Sequence, residues 1–313
     1  MVNKIYIITV HKSPRQLERL IHQLNDEYSF FYIHIDLKSD LNKFKFLKKI
    51  GNVELIKNRV DCIWGDFSQC IATLNLIEAI LNNHEDGFCM FLSGSDYPLI
   101  PLKEMNKLIL ANYDTIFMDV KNAYDVWSFF DERVSKYKIN KSSKRQDYIL
   151  LRGLNKKTIK SFLKGYINIF QFFKICFIPR RLKTNTEFYG GSNWWQMNIS
   201  NLKLIYEHIL NNKTELFRFY KDSISSDEFF FQTILMEISE IGYNFKIRDT
   251  LTYADWRKKG ASPHTFNKSD FNLLKNKSSN YFFARKFDTE LDDEILDLID
   301  HYKSHKLKDS NES

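Results

Sequence analysis

The sequence predicts an α/β protein in which a mostly parallel β-sheet is sandwiched by helices. Over the first 120 residues, short β-branched and aromatic runs alternate with longer segments whose apolar residues recur at helical spacing. The chain has 313 residues, of which 43% are hydrophobic, and this is enough to bury a large core. Glycine (10 residues) and proline (5) are scarce, which excludes collagen-like and low-complexity chains.

The elements of the first 120 residues follow from these local patterns. A strand is predicted at Ile5–Val10, and Pro14 begins a helix, because a residue at the first helical position needs no N–H partner. There follow a strand at Phe30–Ile35, a helix over about 41–50, a strand at Val53–Ile56, a helix at Ser68–Leu81, a strand at Phe88–Leu92, a helix after Pro101 and a strand at Thr115–Val120. Ligands of such sheets bind at the carboxyl ends of the strands.

Residues 121–185 lose this alternation, and we expect them to form an insertion. Beyond it, a glycine turn leads into a strand, a helix covers about 200–211, another begins at Ser225–Glu228, strands lie near Phe245–Ile247 and Leu251–Trp256, and the last helix presents Leu291, Ile295, Leu298, Ile299 and Tyr302 on one face. We therefore predict one domain over residues 1–305, made of 1–120, 121–185 and 186–305, with a polar tail over 306–313 that frays.

Positive charge is concentrated in one segment. The chain carries +7, but residues 141–183 hold 12 Lys and Arg against one acid, Asp147, so this window carries +11 and the remainder −4. A nucleic-acid-binding module, the alternative suggested by the pI of 9.0, would spread its charge along a groove. The distribution favours a local docking surface. Because the window contains an apolar run over 162–177, we expect it either to dock on an anionic membrane or to pack as core.

The expected location follows from export and cysteine patterns. No signal peptide is recognisable, and no run of about 18 uncharged apolar residues is present to span a bilayer. Four cysteines without a C-x-x-C pair exclude a disulfide scaffold or a zinc ribbon. We expect a cytoplasmic protein with reduced thiols, peripheral at the inner face of the cell membrane.

Several common enzyme sites are excluded by their missing motifs. The turn after the first strand reads Val10-His11-Lys12-Ser13-Pro14 and lacks the glycines of a dinucleotide-binding loop. No Walker A loop, H-E-x-x-H or G-x-S-x-G occurs. No two aspartates are separated by one residue, so the D-x-D metal clamp common in nucleotide-sugar transferases is also missing.

Two charged motifs are candidates for chemistry. Ser225 and Glu228 fit a helix capping box, S-x-x-E, but Glu228 could equally be a general base that takes a proton from a sugar hydroxyl. Arg285-Lys286, flanked by aromatic residues, is either a solvated pair on a strand edge or a clamp for a departing nucleoside diphosphate. Both interpretations of each motif stay open at this point.

An ordered set of short motifs gives the chain a resemblance to one family. The motifs are Val10-His11-Lys12, His34-Ile35-Asp36, Trp64-Gly65-x-Phe67-Ser68, Ser93-Gly94-Ser95-Asp96-Tyr97-Pro98, Gly191-Ser192-x-Trp194-Trp195, Ser226-Asp227-Glu228, Tyr253-x-Asp255-Trp256, Pro263-His264 and Phe283-Ala284-Arg285-Lys286-Phe287-Asp288. Each is weak alone, but the set, over about residues 5–290, resembles the core-2/I-branching β-1,6-N-acetylglucosaminyltransferases and the peptide O-xylosyltransferases of glycosyltransferase family fourteen.

The resemblance implies a GT-A-like, Rossmann-like fold, a UDP-sugar donor, inversion at the anomeric carbon and no metal or other cofactor. It also implies a nucleotide-sugar-binding half at 1–120 and a catalytic half at 186–305. The implied site residues are the base Glu228, the donor-binding Val10, His11, Asp36, Asp96, Arg285 and Lys286, and the acceptor-binding Arg133, Trp195, Asp227 and Trp256. A second phosphate-binding arginine of some members has no counterpart near Thr265, and Arg257 or Arg285 could replace it.

The predicted function is an inverting, metal-independent glycosyltransferase in surface polysaccharide biosynthesis. The animal enzymes have an N-terminal membrane anchor and several disulfides. We expect neither feature in this chain, which therefore resembles a bacterial member of the family. The favoured donor sugar is N-acetylglucosamine and the next is xylose, and the acceptor is a glycan or a lipid-linked saccharide. The alternative is a relative that binds a sugar or nucleotide without catalysis, against which the intact Asp227-Glu228 and Arg285-Lys286 pairs argue.

Overall fold

Fourteen strands and twelve α-helices are present in the part of the chain that the computed structural model describes, residues 2–180, 182, 187–257, 260 and 262–312. The strands are β1 (Lys4–Val10), β2 (Ser29–Ile35), β3 (Val53–Leu55), β4 (Phe88–Ser93), β5 (Asp96–Pro98), β6 (Thr115–Met118), β7 (Lys121–Asn122), β8 (Tyr137–Asn140), β9 (Tyr148–Leu151), β10 (Tyr189–Gly190), β11 (Trp195–Asn198), β12 (Lys246–Arg248), β13 (Thr252–Ala254) and β14 (Phe283–Arg285). The helices are α1 (Pro14–Leu24), α2 (Phe67–Leu81), α3 (Leu102–Ala111), α4 (Ala123–Val126), α5 (Phe130–Ser135), α6 (Lys156–Leu163), α7 (Ile169–Phe177), α8 (Ile199–Asn211), α9 (Lys213–Tyr220), α10 (Phe230–Glu240), α11 (Phe271–Lys277) and α12 (Glu294–Glu312).

The central sheet has seven strands in the order β12-β6-β11-β4-β1-β2-β3. Neighbouring strands of this sheet are parallel except at β11, which runs antiparallel to both β4 and β6. The predicted mostly parallel sheet between helices is therefore confirmed. A smaller sheet, β13-β14-β5, lies beside it, and β8-β9 and β7-β10 form two-stranded ladders.

Strand β1 shows why both faces of the sheet are covered. Its side chains alternate between two cores: Ile5 and Ile7 pack on one face with residues of α2, α8 and α10, while Tyr6 and Ile8 pack on the other with residues of α1, α3 and α12. A strand that is apolar at nearly every position needs helices on both sides, as its sequence predicts. Among the described residues, no helix has the length and apolar character needed to cross a bilayer.

Several predicted elements differ in detail. The helix expected over 41–50 is a 3₁₀-helix at Leu41–Lys49, and the expected glycine turn contains a short strand, β10 (Tyr189–Gly190), before β11 begins at Trp195. The helix expected to begin at Ser225–Glu228 is a 3₁₀ turn at Ser226–Glu228, and α10 begins only at Phe230. At the C-terminus, α12 continues to Glu312. Arg181 and Lys183 of the charged window, and Ser313 of the predicted tail, lie outside the described residues.

Candidate active site

The carboxyl ends of β1, β2 and β4 meet at one edge of the central sheet, because these three strands are adjacent and parallel. The amide of Asp36 donates to the carbonyl of Val10 (2.8 Å), and the amide of Gly94 donates to that of Thr9 (3.0 Å). The side chain of Val10 is buried in the core, and a Cβ at Gly94 would clash with it. The backbone of Val10 therefore lies at this edge of the sheet, whereas its side chain packs in the core.

The loop after β2 forms a polar pocket wall beside His11. The carboxylate of Asp36 accepts from the amide of Lys38 (2.9 Å), and the guanidinium of Arg59 donates to the carbonyls of Ile35 (2.9 Å) and Asp36 (2.7 Å). Partial burial, and next the charge of Lys12, lower the pKa of His11, which favours the neutral form of its ring. A neutral imidazole beside a fixed carboxylate can hydrogen-bond a polar ring such as uracil.

Asp96 lies fully buried beneath this edge and organises two other side chains. Its carboxylate accepts from the indole N–H of Trp194 (2.7 Å) and from Nε of Arg285 (3.2 Å), and the guanidinium of Arg285 lies 3.5 Å from the centre of the Trp194 ring. The amide and hydroxyl of Ser93 complete its shell at 2.7 and 2.9 Å. Asp96 therefore positions Arg285, and with its hydrogen bonds filled from within the protein it is placed beneath a ligand and not against it.

Lys286 projects beyond this buried pair, toward other cations. Burial, and next the charges of Arg285 and Lys12, lower the pKa of Lys286, and Arg145 acts in the same direction. The ammonium of Lys12 is paired with Asp288 at 2.6 Å, whereas that of Lys286 has no ion pair within the described part of the chain. An ammonium whose pKa is lowered by neighbouring cations belongs to a site that a bound anion would stabilise.

Arg145 reaches this cluster from the tip of the β8–β9 hairpin. Its guanidinium lies 3.8 Å from the centre of the Trp64 ring and donates to the hydroxyl of Ser262 (3.1 Å). The hairpin is anchored below its tip, where the buried ammonium of Lys138 is 2.9 Å from the carboxylate of Asp66. Arg145 is not among the site residues that the sequence predicts, because nothing in the sequence distinguishes it from the other cations of the +11 window.

The carboxylate of Glu228 is held on the other side of the site. Its Oε2 accepts from the guanidinium of Arg133 (2.7 Å), which itself lies 4.1 Å from the centre of the Trp127 ring. Its Oε1 has no hydrogen-bond partner among the described residues. Gly190 is required here, because a Cβ would clash with the ring of Trp127. Arg133, predicted to contact the acceptor, is therefore placed where it orients Glu228.

The predicted capping box is wrong. Ser225 adopts a left-handed backbone conformation (φ 48°), and its side chain caps no helix. Its amide donates to the carbonyl of Gly65 (2.9 Å), while the neighbouring hydroxyl of Ser226 donates to the carbonyl of Tyr220 (2.8 Å). The turn is fixed by these tertiary contacts, so the carboxylate of Glu228 is free of any capping role.

Asp227 connects the carboxylate and cation sides of the site. Burial, and next the charge of Glu228, raise the pKa of Asp227 to about 7. Its Oδ2 is 3.4 Å from the side-chain nitrogen of Asn193, and its Oδ1 has no hydrogen-bond partner beyond its own residue in the described part of the chain. Asp227 is close enough to Arg285 to oppose the lowering of its pKa, which burial causes. The two motifs, 57 to 59 residues apart in the chain, thus come together at one site.

The two tryptophans predicted to touch an acceptor differ in position. Trp195 is 1% exposed and stacks on Phe91, with ring centres 5.5 Å apart. Its prediction as an acceptor contact is therefore corrected: successive strand residues face opposite sides, so Trp194 and not Trp195 faces Arg285. Trp256 is 53% exposed beside Asp255, whose carboxylate is paired with the guanidinium of Arg257. Arg257 is therefore engaged and does not join the cation cluster, while Arg285 does.

Comparison with known proteins places the chain in a family. The chain is 24% identical to Xylosyltransferase 1 of Canis lupus familiaris over 319 residues, which cover 95% of this chain and 30% of that protein. It is also 24% identical to Xylosyltransferase 2 of Homo sapiens, over 95% of this chain and 33% of that protein. The chain thus spans about a third of the length of these relatives. The Core-2/I-Branching enzyme family model matches residues 5–278, and the chain belongs to that family of glycosyltransferases.

Proposed function

We propose that this chain transfers a sugar from a UDP-sugar to a hydroxyl of a glycan acceptor, with inversion at the anomeric carbon. The observation that carries the proposal is the oriented carboxylate of Glu228, which acts on Asp227, while Asp227 in turn lies close enough to act on Arg285, the neighbour of Lys286. A single displacement needs these two parts: a base for the incoming hydroxyl and a fixed positive charge for the departing diphosphate.

The proposed step involves only the two substrates and Glu228, and every bond and proton in it is accounted for. The acceptor hydroxyl gives its proton to the free Oε1 of Glu228 while its oxygen forms a bond to the anomeric carbon. The bond from that carbon to the diphosphate oxygen breaks, and UDP leaves with the electron pair. Arg133 holds the carboxylate in a fixed orientation, and Lys286 takes up the charge that develops on the diphosphate.

We assign the uridine end of the donor to the edge formed by His11 and Asp36, since these groups lie beside Lys286: its charge also lowers the pKa of His11. Asp227, with a buried oxygen that lacks an outside partner, and the exposed ring of Trp256 would contact the acceptor. A tryptophan face packs well on the apolar face of a sugar ring.

The donor sugar is tested by a direct screen. Purified chain is incubated with UDP-N-acetylglucosamine, UDP-xylose, UDP-galactose and UDP-glucose, and released UDP is measured with and without an oligosaccharide or lipid-linked acceptor. We expect release with one of the first two, the xylose donor being suggested by the names of the relatives and the other by that of the family. Tight UDP binding with no release from any donor would identify a non-catalytic binding protein.

Activity should persist in excess EDTA. The sequence has no D-x-D motif, and the cations of Arg285, Lys286 and Arg145, which lie near one another, would neutralise the diphosphate in place of a metal. The measurement is UDP release before and after chelation, with dialysis to remove the chelator. Loss of activity that Mn²⁺ or Mg²⁺ restores would contradict metal independence.

Arg145→Ala should raise the donor KM about 10–100-fold, because a charge-assisted hydrogen bond to a diphosphate contributes about 1.5–3 kcal/mol. The reason is its position beside Lys286, which its charge reaches. Arg152→Ala is the matched control, since that arginine lies in the same charged window but near Asp131 and Ser135. If both variants keep the wild-type donor KM, Arg145 has no role in donor binding.

A further inference from the structure

Helices α6 and α7 present an apolar surface to solvent on the side of the insertion. We name it the α6–α7 surface, and its exposed apolar side chains are Ile159, Leu163, Ile169, Phe170, Phe173 and Phe177. Leu163, Phe170 and Phe177 are 77%, 82% and 67% exposed. Large apolar residues this exposed and this close together mark an interaction surface, whereas single ones are ordinary.

The exposure follows from the small core beneath these helices. The α6–α7 pair packs on the β8–β9 hairpin around four buried apolar residues, Tyr137, Leu151, Ile167 and Ile175, with Ile139, Ile149, Phe162 and Phe172 partly buried against them. Helix α7 is apolar on nearly all sides, so when Phe172 and Ile175 face the hairpin, Phe170, Phe173 and Phe177 must face outward at spacings of three and four. The prediction that this run packs as core thus holds for only a minority of its residues.

The charged side chains around the α6–α7 surface are all positive. Residues 148–180 contain seven Lys and Arg and no acidic residue. Lys174 and Arg180 are used within the fold, the former in an ion pair with Asp222 at 2.6 Å and the latter in bonds to backbone carbonyls. The exposed lysines on α6 and in the following turn, Lys156, Lys157, Lys160 and Lys164, form no ion pair with any described residue.

We propose that the α6–α7 surface binds an anionic lipid bilayer, with its aromatic and aliphatic side chains inserted at the interface and its lysines among the headgroups. Exposed Phe and Leu flanked by lysines, on helices that pack on the β8–β9 hairpin, suit the headgroup–acyl boundary. A second copy of the chain suits it less, because a twofold contact through this surface would bring the two lysine clusters together.

The surface is connected to the active site through the hairpin. The same β8–β9 hairpin that supports α7 at one end carries Arg145 at its tip, next to Lys286. Bilayer binding would therefore hold the cleft near the membrane, where an acceptor sugar carried on a lipid is available. Binding to lipid does not depend on the proposed chemistry, so the two can fail separately.

The test is flotation of the full chain with vesicles of phosphatidylcholine alone or with phosphatidylglycerol added. We expect flotation with the anionic vesicles, weakened by salt, and little with neutral ones. The combined change K156E, K160E and K164E should lower the affinity at least about 100-fold, since each lysine near an anionic surface contributes about fivefold. The combined change F170S, F173S and F177S should lower it at least about tenfold.

Matched variants control for charge and for apolar area. K43E, K45E and K49E make the same charge change at another exposed site, and Ile241→Ser and Leu291→Ser remove exposed apolar side chains elsewhere. These controls should float like the wild type, and the thermal unfolding midpoint checks that every variant is folded. No flotation by the wild-type chain overturns the proposal. Equal losses of vesicle binding in the control variants also overturn it. So does a wild-type chain that does not float but dimerises with rising concentration, if the Phe variant stays monomeric.

Discussion

Glu228→Gln is expected to lower turnover about 10²–10⁴-fold, the usual contribution of a general base, while the affinity for UDP stays within about twofold. The amide keeps the size of the side chain, so the turn at Ser226–Glu228 and its contacts with Gly65 and Tyr220 persist. What is lost is the proton acceptor. The measurement is kcat with saturating donor and acceptor, combined with UDP titration of each protein.

Glu132→Gln is the matched control for this variant. Glu132 precedes Arg133 in α5, is exposed and forms an ion pair with Lys136, so its charge is lost without any change at the reacting atoms. Its turnover should equal that of the wild type. A Glu228→Gln enzyme that retains more than a tenth of wild-type turnover would contradict the assignment of the base.

Lys286→Ala is expected to weaken UDP binding about 10–100-fold and to lower kcat/KM for the donor by at least that factor. A half-buried diphosphate that loses one charge-assisted bond is poorly compensated, and the loss grows in the transition state as charge moves onto the leaving group. Since burial lowers the pKa of Lys286, UDP affinity should also fall as the pH rises through that pKa, when the ammonium loses its proton.

Lys286 is the better position to test than Arg285. Removing Arg285 would leave the buried carboxylate of Asp96 without its cation and would take away the partner of the Trp194 ring, so a loss of activity could reflect a loss of folding. Lys268→Ala is the control, because its ammonium is exposed and paired with Glu294 at 3.0 Å. Unchanged UDP affinity in Lys286→Ala would remove this residue from the donor site.

The sequence alone predicts most helices and strands of the fold, and it predicts that the functional residues lie at the carboxyl ends of the strands. The strands β1, β2 and β4 are apolar at nearly every position. A continuous apolar run predicts a strand buried on both faces from its own residues alone, whichever segments pack against it. The polar residues that follow each strand, among them His11 and Asp36, could then be placed at one edge. Glu228 and Arg285-Lys286 were identified as candidates from residue type and motif order.

Only the tertiary structure decides how these residues are used. Arg133 and Glu228 are 95 residues apart, and Asp96 and Arg285 are 189 apart, so no periodicity or spacing rule joins them. The same holds for Arg145, which a hairpin brings to Lys286, and for Ser225, whose capping pattern is overruled by a bond to Gly65. The outward aromatic face of α7 is a further case, since a helix that is apolar all round reveals its buried side only once its neighbours are in place. Local sequence determines which backbone conformation each segment prefers, whereas ion pairs and burial depend on which segments meet, and that is set by the packing of the whole chain.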